Sequence, residues 1–156
     1  NPVRIFCDSG LRTPLTSQIV RTAKEVPTIF ATCTTDPQAA KPFQDAGCTV
    51  LVLPQQKGHV DLQALMAELG KRQIDSVLLE GGGTLNWAAL KAGIVNKILA
   101  YIAPKLLGGK DAKSPVEGEG FPSPDEAVTL ENGTVTPLGE DLLLEYDVTG
   151  VRNSLK

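Results

Sequence analysis

Residues 75–93, Asp-Ser-Val-Leu-Leu-Glu-Gly-Gly-Gly-Thr-Leu-Asn-Trp-Ala-Ala-Leu-Lys-Ala-Gly, carry the reading on which the fold turns. The apolar run Val77-Leu78-Leu79 is too short for a helix and suits a buried strand over 76–80. Gly81, Gly82 and Gly83 follow at once, and Thr84 is placed to cap a helix over 84–92. Leu85, Ala88, Ala89 and Ala92 share one face of that helix, and Gly93 stops it. A strand, a glycine turn and a helix start together present bare backbone N–H groups and the positive end of a helix dipole, which is what a phosphate or pyrophosphate needs. The stretch is neither a Gly-x-Gly-x-x-Gly fingerprint, since Asn86 stands at the third glycine, nor a Walker loop, since no Gly-Lys-Ser/Thr closes it. An ordinary tight turn in an α/β protein accounts for the same glycines. Glu80 stands at the carboxyl end of the strand, where open α/β sheets place their ligands.

Upstream, strands alternate with helices. Val3–Cys7, Pro27–Ala31 and Thr49–Leu53 read as strands, a helix runs from Pro37 to Ala46 with Gly47 closing it, and Asp61 caps a helix over 62–69 that Gly70 terminates. Leu62, Leu65, Met66 and Leu69 follow the i, i+3, i+4, i+7 rule within it. Alternation of this kind predicts an α/β fold with a mixed, mainly parallel sheet flanked by helices. Downstream, Lys97–Ala103 is apolar on both faces and is expected inside the sheet. The stretch 104–125 then holds four prolines and four glycines without periodicity, the pattern of a lid or binding loop. Two β-rich runs, 127–136 and 141–148, predict a C-terminal antiparallel hairpin; Asn132-Gly133 and Gly139-Glu140 both offer its turn.

Composition narrows the function. The 156 residues fit a single domain over 1–156, and 42% apolar with 21% charged residues is ordinary for a soluble globular chain. Net charge is −3, no basic block marks a nucleic-acid groove, and the aromatics are four Phe, two Tyr and one Trp, so nucleic acid is disfavoured as a partner. Cys7, Cys33 and Cys48 are odd in number and widely spaced, and read as reduced core thiols. A lone histidine, His59, is too few for a histidine-based metal site. Neither a signal peptide nor an apolar run near 18 residues stands out, so the expectation is a cytoplasmic protein with no membrane partner.

Leu79-Glu80-Gly81-Gly82-Gly83-Thr84-Leu85, followed by Tyr101-Ile102-Ala103-Pro104-Lys105-Leu106-Leu107-Gly108-Gly109, resembles the reductase domain of the bifunctional riboflavin-biosynthesis deaminase/reductase family. Pro2-Val3-Arg4 through Asp8-Ser9 with Arg12-Thr13-Pro14, then Lys57-Gly58-His59-Val60-Asp61-Leu62 and Gly139-Glu140-Asp141, extend the likeness in the family's order over nearly the whole chain. The resemblance implies a dihydrofolate-reductase-like fold, a homodimer, and NADPH-dependent reduction of 5-amino-6-(5-phosphoribosylamino)uracil to its ribitylamino product. It implies that Gly82, Gly83, Thr84, Leu85, Asn86, Trp87 and Ala88 hold the cofactor pyrophosphate, that Ser9 bonds the adenosine ribose or its 2′-phosphate, and that Glu80 contacts the pyrimidinone ribose phosphate. It identifies no catalytic proton donor. Arg12 reads as a solvated surface cation and His59 as a loop or capping residue, while packing against the sheet explains Trp87 as well as cofactor contact does.

The resemblance also shows a departure. The family's reductase domain carries more chain on its N-terminal side, including the strand expected between 76–80 and 97–103. An incomplete domain is therefore expected, with the missing N-terminal segment of the same enzyme as a partner, because an absent central strand leaves backbone groups unpaired. Two other readings compete: a non-catalytic dinucleotide-binding fragment or assembly module of that enzyme, and a phosphosugar-binding α/β enzyme of another class.

Overall fold

The computed structural model describes residues 2–150. The chain forms two compact units, Asn1–Asp75 and Ser76–Lys156.

In the first unit, β1 (Arg4–Cys7), β2 (Thr28–Thr32) and β3 (Thr49–Val52) form a parallel sheet in that order, with Ile5 opposite Ile29 and Phe30 opposite Val50. Parallel neighbours need crossovers, and these contain the one-turn α1 (Gln18–Arg21) and α2 (Pro37–Asp45). All five residues of the central strand β2 are buried, as its unbroken β-favouring sequence requires. Phe30 is fully enclosed, its ring centroid 5.4 Å from that of Phe6 and 4.9 Å from that of Phe43, and Val20, Ala23 and Cys48 complete the core. Two threonines buried in the same strand are satisfied. Thr28 Oγ accepts from Arg4 Nη2 at 2.7 Å and donates to Val26 O at 2.8 Å, while Thr32 Oγ donates to Ser9 O at 3.1 Å. Arg4 also donates to Thr22 Oγ and to the carbonyls of Ile19 and Val26, and so ties the start of β1 to the α1–β2 connection.

Asp36 caps α2 through Gln38 N at 2.8 Å, and Asp61 caps α3 (Leu62–Lys71) through Ala64 N at 3.0 Å. Gly70 does not end α3, contrary to the sequence expectation. The helix runs through it, and Gln73 takes the left-handed exit at φ 62°; Ile74 N–H returns to Leu69 O and Gln73 N–H to Gly70 O. This is a Schellman closure with glutamine where glycine is usual. A small hairpin of β4 (Gln55–Gln56) and β5 (His59–Val60) turns on Lys57 and Gly58, both at positive φ.

In the second unit, residues 76–80 form no strand, and Val77, Leu78 and Leu79 are exposed, so the buried strand expected there is corrected. A strand exists only by pairing, and no strand among the described residues pairs with this run. The helix α4 spans Gly83–Lys91, and Gly93 at φ 67° ends it as foreseen, with Ile94 N–H reaching Ala89 O. The strand β6 (Lys97–Ile102) lies at the edge of a sheet ordered β6-β8-β7, antiparallel to β8 (Asp141–Gly150). It is not interior: paired on one side among the described residues, it leaves Leu99, Tyr101 and Ile102 exposed.

The terminal hairpin of β7 (Thr129–Leu138) and β8 turns on Gly139-Glu140, with Gly139 at φ 66°. The competing pair Asn132-Gly133 makes a bulge instead, in which two residues oppose Tyr146. Gly133 is required there, since a Cβ would come within 2.4 Å of the Tyr146 ring. Residues 104–125 are largely irregular, as their composition predicts.

Candidate functional site

The glycine turn and the start of α4 build one cavity of about 750 Å³, lined by Glu80, Gly82, Gly83, Thr84, Leu85 and Asn86 from the predicted stretch. Lys113, Ser114, Pro115 and Glu117 supply the rest of its wall. Gly82, not Thr84, is the N-cap residue, and no side chain caps the helix. The N–H groups of Gly83, Thr84 and Leu85 fall in the first turn, where no intrahelical acceptor exists. They donate to no protein acceptor among the described residues. Three open amides at the positive end of a nine-residue helix are a chemical fit for a diphosphate.

Thr84 has another task than the one expected: its hydroxyl donates to Glu117 Oε2 at 3.1 Å. Gly83 is glycine because the 114–117 segment lies against it, and a Cβ there would sit 2.7 Å from Ser114 O and 2.5 Å from Glu117 Cγ. Gly82, by contrast, has open space around the position of a Cβ.

The buried face of α4 also differs from the expected one. Gly83, Trp87 and Leu90, with Ala89, are buried, while Ala88 is exposed and Leu85 half-buried. Trp87 accounts for the change. Its ring packs edge-on to Phe121, with centroids 4.8 Å apart, and Lys91 Nζ lies 5.6 Å from its centroid. Neither Trp87 nor Ala88 lines the cavity, so the cofactor segment is only partly brought together. The composition of 104–125 pointed to a binding loop, but nothing in its sequence singled out Lys113 or Glu117.

Ser9 belongs to the first unit, at the end of β1, where a second cavity of about 400 Å³ is lined by Phe6, Cys7, Asp8, Ser9, Arg12, Thr13 and His59. Ser9 Oγ accepts from Val60 N at 3.2 Å, which leaves its own proton free to donate. Arg12 and His59 are exposed, and His59 lies in β5 while Asp61 does the capping.

Asp8 is buried and shapes this turn. Its Oδ2 accepts from Thr13 Oγ at 2.7 Å and Thr13 N at 2.8 Å, and Oδ1 accepts from Gly10 N at 3.4 Å. Burial alone would push the carboxyl up; the donors from Arg12, Thr13 and Gly10 outweigh it and hold it below its ordinary value. Its contribution to stability is therefore complete above about pH 4 and drains away as pH falls through the lower folded-state value. Asp8→Asn is expected to cost about 1–3 kcal/mol at pH 7, because the amide cannot accept all of these bonds. Urea unfolding at pH 7 and pH 3 checks this: the gap between wild type and variant narrows at the lower pH.

Cys7 and Cys48 have thiols pushed up, in both cases chiefly by burial; the neighbouring Cys33 adds to the effect at Cys7, and Arg4 opposes it at Cys48. Both are protonated and unreactive at neutral pH. Among the described residues no cluster of His, Cys, Asp and Glu could hold a metal, and no helix is long and apolar enough to cross a membrane.

A family model described as the RibD C-terminal domain matches residues 1–144. The riboflavin biosynthesis protein RibD of Actinobacillus pleuropneumoniae is 53% identical over 147 residues, covering 94% of this chain and 39% of that protein. A 2,5-diamino-6-ribosylamino-4(3H)-pyrimidinone 5′-phosphate reductase of Methanothermobacter thermautotrophicus is 36% identical over 150 residues, 96% of this chain and 68% of that one. Among solved structures, Acinetobacter baumannii RibD superposes with a TM-score of 0.73 at 24% identity, over 94% of this chain and 37% of its own. The Saccharomyces cerevisia riboflavin biosynthesis reductase Rib7 gives 0.69 at 19% identity, over 96% of this chain and 70% of its own. The chain thus spans well under half of the RibD proteins it matches. The structural likenesses show the fold, a dihydrofolate-reductase-like α/β arrangement.

Proposed function

The chain belongs to the RibD C-terminal domain family, and from that premise we propose that it serves the reduction of a ribosylaminopyrimidinone 5′-phosphate, 5-amino-6-(5-phosphoribosylamino)uracil, to the ribitylamino compound in riboflavin biosynthesis. A reductase of this kind calls for a nicotinamide cofactor, and NADPH is the finer reading. The observation that carries it is the first turn of α4, with amide donors at Gly83, Thr84 and Leu85 that no protein group among the described residues uses. Those amides, with Gly82 and Asn86 beside them, would hold the pyrophosphate by hydrogen bonds and helix dipole. Lys113 lines the same cavity and would offset the phosphate charge. The Ser9 hydroxyl, with its proton available, suits the adenosine ribose or its 2′-phosphate. Glu80, an exposed carboxylate at the cavity, suits sugar hydroxyls of the substrate as an acceptor. The bound cofactor supplies hydride; the chain's own residues bind and orient. A homodimer and a cytoplasmic setting accompany this reading.

Fluorescence titration with NADPH and NADH, followed by turnover of the pyrimidinone substrate at 340 nm, tests it. Saturable binding that favours NADPH, together with turnover, is the expected result. Saturable binding without turnover would leave the non-catalytic dinucleotide-binding module as the function of this chain, and absence of binding would remove both.

A further inference from the structure

The segment Ser114–Phe121 is tied along α4 by a ladder of contacts. Pro115 O accepts from Asn86 Nδ2 at 2.8 Å, Glu117 N donates to Gly83 O at 3.1 Å, and Thr84 Oγ donates to Glu117 Oε2 at 3.1 Å. Farther along, Gly118 at φ 95° lies against the Trp87 ring, Lys91 pairs with Glu119 at 3.1 Å, and Phe121 packs on Trp87. The two ends of this strap differ in kind. Its Phe121 end is an apolar anchor on a buried tryptophan. The side-chain ties of its Pro115–Glu117 end are exposed hydrogen bonds, which water replaces at small cost.

Glu117 brings a carboxylate to the turn that carries the open amides of Gly83, Thr84 and Leu85. A negative charge is favoured there by the helix dipole, and a phosphate would claim the same favour. Two anions at one helix start repel each other, modestly where both are open to solvent. We infer that Glu117 is an internal anion holding the strap closed over the first turn of α4, an autoinhibitory contact that a dinucleotide must displace. Release pivots on the Phe121–Trp87 anchor and moves the Ser114–Glu117 end. The inference rests on the cofactor reading above and adds to it the residue that opposes binding.

The test uses the whole chain with NADPH and with inorganic pyrophosphate as probes. Glu117→Gln keeps the size of the side chain and removes its charge, and should tighten binding of both probes by about three- to tenfold. Hydrogen exchange on the wild type needs no variant: the amides of Ser114, Val116 and Glu117 should exchange faster when NADPH is saturating. Unchanged or weaker binding by the variant, or exchange in 114–117 that stays constant or slows, overturns the latch while the cofactor reading stands. A wild type that takes up neither NADPH nor pyrophosphate overturns that reading and the latch together.

Discussion

Gly82→Val should weaken NADPH binding by at least tenfold while leaving the melting curve of the chain close to that of the wild type. The backbone at Gly82 has φ −70° and ψ −179°, a conformation open to any residue, and nothing lies within 4 Å of a Cβ built there. A valine would therefore project into the space beside the α4 amides, and Gly82 lines that cavity. A charged ligand that loses one or two hydrogen bonds forfeits about 1.5–3 kcal/mol for each, or roughly ten- to a hundredfold per bond. Gly83→Ala is the poorer probe, because its methyl would strike Ser114 O and Glu117 and disturb the strap first. Fluorescence titration of the two proteins decides the matter, and equal affinities would argue that the ligand does not approach this backbone.

Phe30→Ala should cost about 3–5 kcal/mol, the range for removing an enclosed aromatic and leaving its cavity. Phe30 is 0% exposed, lies on the strand that pairs on both sides, and touches the rings of Phe6 and Phe43. Since domains of this size are stable by only about 5–15 kcal/mol, the first unit of the variant would be partly unfolded at modest urea concentrations. Urea unfolding monitored by far-ultraviolet circular dichroism measures the loss. A cost below about 1 kcal/mol would mean that the site collapses around the smaller side chain and that the core is centred elsewhere.

Much of the first unit is legible in the sequence because its signals are local. Asp61 ahead of Leu62, Leu65 and Leu69 specifies α3 with its cap, and the apolar strands alternate with the crossovers that parallel pairing demands. Errors arise where the outcome depends on distant residues. Val77-Leu78-Leu79 has strand composition, yet composition supplies no neighbour to pair with, and the run stays outside every ladder among the described residues. Lys97–Ala103 reads as interior for the same reason, yet its strand Lys97–Ile102 lies at a sheet edge among the described residues. At the site, Gly81–Gly83 announces a close approach, but only the structure shows that Gly83 answers to Ser114 and Glu117 rather than to a ligand alone. Trp87 is similar: its partner Phe121 comes from an aperiodic loop that carries no register. Sequence also misplaces one exit and one entry, since Gln73 takes the left-handed position that ends α3, and Gly82, in extended backbone, is the N-cap of α4. The first follows from backbone closure, in which Gln73 N–H and Ile74 N–H reach the carbonyls of Gly70 and Leu69 whatever the side chain.

The most direct measurement is an amide chemical-shift map of the chain titrated with NADPH. The N–H resonances of Gly83, Thr84 and Leu85 should move most, saturate with the fluorescence isotherm, and move likewise with inorganic pyrophosphate. Resonances of those three that stay fixed while NADPH binds and shifts other parts of the chain would contradict the account.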